Sequence, residues 1–532
     1  MAVDHALIDR VLLQAADAFD PLAAARPRGV VLRVGDGVAL IGGLPGAGCD
    51  ELLRFDSGAL GMVFDLREDG IGALLLTARH TVSAGQGVTA LGGPPDLAVG
   101  PACLGRLIDP LGRPLDEGPP LPARPRLPLF RPAPDIIERT RVERPFHTGV
   151  TVVDAAIPIG RGQRELIIGD RNTGKTAVAL DILAAQRPGD VACVYVVIGQ
   201  PMSRILAVRD DLQRRGCLSN TVLVAAEASA APGMQYLAPY AGASAAEWFR
   251  DSGADAVVVY DDLTKHADVY RELALLLDRP PGREAYPGDI FHIHAELLER
   301  AAAVKVGGAE GSVTAFPLVE TTDSDISAYI PTNLISITDG QIYLDTGRFE
   351  RDLRPAVDIG LSVSRIGSVA QPPALRRPAR NLKVLLSRLE SLEALSRVGL
   401  EIDAATRQTL VRGRILRELL RQHRFSPRGT AEQVVALTAV GEGLLDAVAP
   451  ERCPDAVASL LDALRRRAPD IAADLDAGRE PKTDYKPVLA AAAREVLGIP
   501  APGNPAPGNP ASGNPAPGAS PAAGPGSAGG RP

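Results

Sequence analysis

Aromatic residues are sparse in this chain, at 4% of its 532 residues. Lysine is scarce as well, so arginine supplies most of the positive charge, and the formal net charge is −7. A protein built mainly to grip nucleic acid is more often basic, with aromatics on which bases stack. This balance argues against that class. The five cysteines, at positions 49, 103, 193, 217 and 453, include no CxxC pair. An odd, scattered set suits a reducing compartment and buried thiols. The opening MAVDHALIDRVLLQAADAF has no basic segment ahead of its apolar part, so it does not read as a signal peptide. No apolar run reaches the ~18 residues that would suggest a membrane-spanning helix. Membrane association is therefore expected only through partners.

What is present suits a soluble multidomain protein. Hydrophobic residues make up 45% and charged residues 23%, and the length implies about two to four domains. Ala6, Leu7, Val11 and Ala15 can share one stripe of a short helix over residues 4–19. From Gly29 to Val99 the texture is that of short strands. GVVLRVGDGVALIGGL carries a hairpin signal at Asp36-Gly37, and GALGMVFDL, GIGALLLT and GQGVTAL follow between glycine-rich turns. Evenly spaced short strands predict a small β-barrel. Proline is dense from Pro110 to Pro134, as in an irregular connector. Beyond it, RELIIGD, VACVYVVIG, NTVLVAAEA and DAVVVYDD are near-continuous apolar runs separated by helical segments. That pattern predicts a parallel α/β core with strands buried on both faces.

After Pro372 the periodicity is helical, with Leu382, Leu385, Leu386, Leu389, Leu392 and Leu395 stepping by three and four. A Pro/Ala/Gly/Asn repeat begins at Pro500, cannot build a core and is expected to be disordered. The expected division is an N-terminal helical segment (1–26), a barrel (27–95), a nucleotide-binding domain (96–371), a helical domain (372–499) and the tail (500–532).

Residues 169–176 read GDRNTGKT, after an apolar strand and ahead of a helix. This G-x-x-x-x-G-K-[ST] pattern in that context predicts a phosphate-binding loop. Backbone N–H groups from Gly169 through Asp170, Arg171, Asn172, Thr173 and Gly174 would wrap the phosphates, and the helix N-terminus adds favourable partial charge. Lys175 would reach the β- and γ-phosphates, and the Thr176 hydroxyl would ligate Mg²⁺. A second metal-holding carboxylate is expected where another buried strand ends, and Asp261 of DAVVVYDD stands there. An ordinary strand-ending aspartate is the bland alternative. His292 and His294 invite a metal reading, but residues two apart on a helix do not face each other, which favours a structural role.

Hydrolysis needs a group that activates water. The strand VACVYVVIG leads to Gln200, and a neutral amide can orient water but cannot take its proton at neutral pH.

PIGRGQRELIIGDRNTGKTA, QYLAPYAGASAAEWFRD, YDDLTKHADVYRELALLLDRPPGREAYPGDIF, PTNLISITDGQIYLDT and RPAVDIGLSVSRIG together resemble the α subunit of rotary F-type ATP synthases. The resemblance runs from about residue 5 to 498. It implies a β-barrel crown, a RecA-like nucleotide domain and a helical C-terminal domain. It also implies a ring in which three α and three β subunits alternate around a γ shaft. In that family the α site holds Mg-ATP without turning it over, and the catalytic β subunit has glutamate in the place of Gln200. Carried over by position, Lys175, Thr176 and Asp261 would serve the non-catalytic site, and Arg354, Pro355 and Gln422 would line the adenine pocket. Ser336 and Arg365 would reach into the catalytic site of a neighbouring β subunit. An isolated arginine after SVS is otherwise a salt-bridge partner. The N-terminal helix would meet the δ subunit of the stator. The complex would sit on the cytoplasmic face of a bacterial inner membrane and couple ATP synthesis or hydrolysis to transport of H⁺ or Na⁺.

Departures from the family pattern are Asn172 in the loop, Pro201-Met202 after Gln200, Arg424 in place of a second pocket glutamine, and the repeat tail. They point to a divergent or second-copy form. Two other readings make different demands. A self-sufficient ATPase motor calls for glutamate at position 200. A hexameric RNA translocase calls for a basic, aromatic barrel and no long helical C-terminal domain.

Overall fold

The turn at Asp36-Gly37 joins β1 (Arg28–Val34) to β2 (Val38–Gly42), as its sequence predicts. The computed structural model describes residues 27–77, 81–186, 188–397 and 404–498. The helix expected over 4–19 and the tail from Pro500 lie outside the described residues. β3 (Leu52–Phe55), β4 (Leu60–Leu66), β5 (Ile71–Leu75) and β6 (Gly87–Ala90) complete a closed barrel in the order β1-β2-β5-β4-β3-β6. β3 has only four residues and was not singled out in the sequence. Its Leu53 and Phe55 point into the barrel core beside Val31, Ile41, Val63 and Val88.

β7 (Asp96–Ala98) pairs with β9 (Arg126–Pro128), so part of the proline-rich connector is a strand. β8 (Leu107–Ile108) forms one edge of the central sheet, and β10 (Pro145–Phe146) pairs with β11 (Ile159–Gly160). The short α1 (Thr151–Ala156) lies between them in sequence.

The central sheet is built from β12 (Leu166–Asp170), β13 (Val191–Gln200), β14 (Thr221–Glu227), β15 (Asp255–Asp261), β16 (Ala303–Val306), β17 (Ala309–Thr321), β18 (Gly340–Leu344) and β19 (Val357–Ser364). Its order is β19-β18-β12-β17-β15-β13-β14-β8, with β16 pairing β17. Pairing is parallel except at β16 and β19. The apolar runs have the physical cause the sequence suggested: alternate residues serve two cores. Cys193, Tyr195 and Val197 pack with α2 (Lys175–Ala184) and α3 (Met202–Arg214). Ala192, Val194, Val196 and Ile198 pack with α4 (Pro232–Asp251) and α5 (Leu263–Leu276). α6 (Ile290–Glu299) and α7 (Tyr329–Ile337) extend that second layer.

The barrel rests on α4. Phe64 meets Tyr236 edge-on at 5.7 Å. At Gly233 a Cβ would lie 2.7 Å from the Leu75 carbonyl oxygen, so only glycine permits that approach.

After the short α8 (Thr346–Glu350), the helices α9 (Pro373–Ala379), α10 (Leu382–Arg397), α11 (Ala404–Leu420), α12 (Thr430–Gly441), α13 (Cys453–Arg467), α14 (Pro469–Asp476) and α15 (Lys486–Leu497) form the C-terminal domain. Leu382 and Leu389 are buried, and Leu385, Leu386 and Leu392 are half-buried. The side chain of Leu395 lies outside the described residues. Buried Asp154 joins this domain to the central one. It accepts from Gln433 Nε2 at 2.8 Å and lies 3.0 Å from His147 Nδ1, while His147 Nε2 is 2.9 Å from the Arg428 carbonyl oxygen.

Candidate functional site

The parallel strands β12, β13, β15 and β17 end at one sheet edge, at Asp170, Gln200, Asp261 and Thr321. Ligands of open α/β sheets bind outside such carboxyl ends. Here the loop after Asp170 turns into α2 through Gly174, whose φ of 100° is left-handed and costs glycine little. Asn172 is also left-handed, with φ 64°.

Lys175 Nζ donates to the carbonyl oxygens of Gly169 and Asp170, both at 2.7 Å. Burial lowers its pKa, opposed by the nearby carboxylates of Glu320, Asp262, Asp261 and Asp170. The Asp170 carboxylate itself is turned away to serve as a brace. It accepts from Thr321 Oγ1 at 2.5 Å, Ser324 Oγ at 2.9 Å and Thr346 Oγ1 at 3.0 Å. Arg171 is exposed and paired with Glu320 at 2.8 Å. Thr173 Oγ1 donates to the Asp170 carbonyl oxygen at 2.8 Å.

Thr176 and Asp261, far apart in sequence, meet: Thr176 Oγ1 donates to Asp261 Oδ2 at 3.1 Å. Gln200 Nε2 donates to Asp261 Oδ1 at 3.3 Å. Gln200 Oε1 is buried with no hydrogen-bond partner. A buried acceptor left unmade is costly, and a bound polar group would relieve it. Asp262 has a separate task. It caps α5 by accepting from the Lys265 N–H at 2.9 Å, and burial beside Asp261 pushes its carboxyl up to about 6.

A cavity of about 410 Å³ opens beside the loop. Thr173, Gly174, Ala177 and Val178 wall one side, and Phe349, Arg354, Pro355 and Ala356 wall another. The Arg354 guanidinium lies 4.9 Å from the Phe349 ring centroid. Gln422 also lines the cavity, but its amide is fully engaged by protein. Nε2 donates to the Gly149 and Ser426 carbonyls at 2.7 and 2.8 Å, and Oε1 accepts from the Thr151 N–H at 3.2 Å. Arg424 turns to Asp211 at 2.8 Å, with its guanidinium 4.7 Å from the Phe425 ring centroid.

Ser336 and Arg365 come together on an exposed surface apart from this cavity. Arg365 donates through its guanidinium to the Ile335 carbonyl oxygen at 3.2 Å and through its backbone N–H to that of Asp339 at 2.9 Å. No carboxylate pairs with it among the described residues. Glu165 lies behind it, where burial raises that carboxyl well above its usual range and the Arg365 charge opposes the rise.

His294 is fully buried and lies 3.5 Å from His266, while His292 is on the surface near Glu296. The two expected helix neighbours therefore do not converge.

Sequence reasoning passed over Tyr195, Arg204, Asp181 and Glu320. Tyr195 OH donates to Asp261 Oδ2 at 2.5 Å, and the Arg204 guanidinium reaches Thr176 Oγ1 at 3.4 Å. The signal for Tyr195 was present: a hydroxyl in a buried apolar strand, on the face that Asp261 shares by pairing with Val197.

Thr176 and Asp261 offer two hard oxygen donors at the loop, a set suited to Mg²⁺. With the Lys175 ammonium and the adjoining cavity, these residues fit a nucleotide and its metal.

Comparisons agree with this geometry. Residues 149–364 match the family model described as the ATP synthase alpha/beta family, nucleotide-binding domain. Residues 371–496 match the ATP synthase alpha/beta chain, C terminal domain. The chain is 46% identical over 478 residues to ATP synthase subunit alpha 2 of Syntrophotalea carbinolica, covering 90% of this chain and 91% of that one. It is 49% identical over 479 residues to subunit alpha 1 of Paraburkholderia xenovorans, covering 90% and 93%. With subunit alpha 2 of Burkholderia thailandensis it shares 50% identity over 469 residues, covering 88% and 82%. The closed barrel, the phosphate-loop sheet, the helical domain and these matches converge on one conclusion: the chain belongs to the α-subunit family of ATP synthases.

Proposed function

We propose that this chain is a non-catalytic, Mg-ATP-holding α subunit of a rotary F-type ATP synthase, and that it lends Arg365 to the catalytic site of a neighbouring β subunit. The observation that carries the reading is Gln200. It stands at the strand end from which a water-activating group would act, and it is an amide bonded to Asp261 rather than a carboxylate. An amide cannot serve as a general base at neutral pH.

In this reading the backbone of residues 169–174 and Lys175 hold the phosphates of ATP or ADP. Thr176 and Asp261 hold Mg²⁺, which neutralises phosphate charge when bound. The apolar walls at Val178 and Pro355, with Arg354 and Gln422, receive the ribose and base. Arg365 is exposed and has no carboxylate partner among the described residues; its guanidinium donates to the Ile335 carbonyl oxygen, and so it presents its charge outward beside Ser336. A guanidinium supplied to a neighbour's γ-phosphate as charge builds is typically worth about 10³–10⁵ in rate. The complex would contain alternating β subunits, a γ shaft and a δ subunit met by the N-terminal segment. It would work at the cytoplasmic face of a bacterial inner membrane, coupling ATP synthesis or hydrolysis to H⁺ or Na⁺ transport. Domain boundaries near residues 95 and 371 accord with a barrel ending at Ala90 and a helical domain opening at Pro373.

The test is nucleotide binding and turnover on the purified chain. Mg-ATP should bind and be hydrolysed negligibly. Hydrolysis of several ATP per second by a demonstrably pure chain would overturn the assignment.

A further inference from the structure

The nucleotide cavity has a far end, and what reads a base there is not evident from its glutamine. Gln422 has both amide atoms tied to backbone, and Arg424 is drawn off to Asp211. One buried side-chain acceptor at that end keeps a free oxygen among the described residues: Asp181. It is 8% exposed, and its Oδ1 accepts from the Phe425 backbone N–H at 2.5 Å, while Oδ2 has no partner among the described residues.

Its place on α2 is apt. Gly174, Ala177, Val178 and Asp181 step by three and four and share the helix face that lines the cavity. Asp181 lies six residues beyond Lys175, roughly 9 Å along the axis at 1.5 Å per residue. That is the scale separating the phosphates of a nucleotide from its base.

We propose that Asp181 is the base-reading residue of this site: its free Oδ2 accepts a hydrogen bond from the single exocyclic amino group of adenine. The proposal rests on the nucleotide-holding reading above. A base such as guanine presents two adjacent donors and is best met by both oxygens of a carboxylate, but here Oδ1 is already engaged. Burial pushes the Asp181 carboxyl up to about 6, tempered by Arg424 and Arg215. At pH 8 it is therefore ionised and acts only as an acceptor.

The experiment is equilibrium binding to the purified full chain at pH 8 with Mg²⁺, using ATP, GTP and purine riboside triphosphate, which lacks the 6-amino group. A hydrogen bond to a charged acceptor contributes about 1.5–3 kcal/mol, so the parent should bind ATP at least about 10-fold tighter than the amino-less analogue. Asp181→Ala should remove that preference. Asp181→Asn keeps the shape and an oxygen for the Phe425 N–H, so its free end becomes an NH₂ donor. It should lose ATP affinity and favour inosine triphosphate, whose base offers a carbonyl oxygen there. Triphosphates that bind without amino-group discrimination in the parent would overturn the proposal, as would an undiminished ATP preference in either variant. Failure of every triphosphate to bind the parent would instead overturn the nucleotide-holding reading itself. Thermal melting of both variants reports folding, and the isosteric Asn variant carries the test if the Ala variant does not fold.

Discussion

The hydroxyl of Tyr195 donates to Asp261 Oδ2 at 2.5 Å, on the same oxygen that accepts from Thr176 at 3.1 Å. Strand pairing explains the meeting. Val197 of β13 lies opposite Asp261 of β15, so Tyr195, two residues back, shares its face. One buried phenol thus fixes the carboxylate that faces the phosphate loop.

Tyr195→Phe keeps the ring and removes the donor. A hydrogen bond to a charged group contributes about 1.5–3 kcal/mol. Asp261 should lose its orientation, and Mg²⁺-dependent nucleotide affinity should fall about 10-fold while Mg²⁺-free binding changes little. Titrating nucleotide into the variant with and without Mg²⁺ reads both. An unchanged Mg²⁺ dependence would mean that Tyr195 only packs.

Lys175→Ala removes the ammonium that now sits on the Gly169 and Asp170 carbonyls. Its charge-assisted bonds to phosphate would go, and affinity at this chain's own site should drop by about 10- to 100-fold. ATP hydrolysis by the assembled complex should persist in part if, as proposed, the reacting phosphates lie on another subunit. Nucleotide occupancy and turnover, measured together on assembled Lys175→Ala complex, separate the two roles. Full occupancy by the variant contradicts the placement of Lys175 on phosphate.

The buried pair His266 and His294 makes a pH prediction. Burial lowers their pKa values to about 4 and about 3, below the ordinary 6.5. The unfolded chain therefore binds more protons than the folded one between those values. Stability from the neutral rings is complete above about pH 6.5 and is lost as pH falls towards 4, at up to about 1.4 kcal/mol per pH unit for each ring. Denaturant midpoints of the chain should fall from pH 7.5 to pH 5, and His294→Leu should show a shallower fall than the parent. Parallel pH profiles would mean that His294 titrates normally in the fold.

Much of this arrangement was legible because local chemistry carried it. The phosphate loop, its strand and its helix are contiguous, so Gly174, Lys175 and Thr176 could be placed from sequence alone. Asp261 was found as the end of a buried strand, and the sheet brings it to Thr176. The barrel was also legible from turn spacing, except β3, whose four residues give no periodicity to detect. Less legible were side chains whose direction depends on tertiary contacts. Asp170 sits inside the loop motif, yet its carboxylate braces Thr321, Ser324 and Thr346. Gln422 reaches the cavity with its amide already engaged. Asp181 is the one acidic residue in the largely apolar, buried α2, and only the cavity beside it gives it a role.

Arg365 tests whether the chain's chemistry is exercised outside itself. Its guanidinium is anchored by the Ile335 carbonyl oxygen at 3.2 Å and is exposed beside Ser336. No carboxylate lies within ion-pair distance of it among the described residues, and burial raises the Glu165 carboxyl behind it well above its usual range. A merely structural arginine would be expected to have an acidic partner, so the free charge accords with a phosphate supplied by a neighbour. Arg365→Lys keeps the charge but loses the planar pair of donors that matches two phosphate oxygens. If that fork acts as charge builds in the transition state, lysine will not rescue turnover, and kcat of the assembled complex should fall by about 10³ or more. Nucleotide occupancy should change far less, because ground-state contacts come from the phosphate loops. Steady-state hydrolysis and bound nucleotide are measured on the same assembled Arg365→Lys complex. A fall in occupancy matching the fall in rate, or near-normal turnover, would make Arg365 a structural residue of its own subunit.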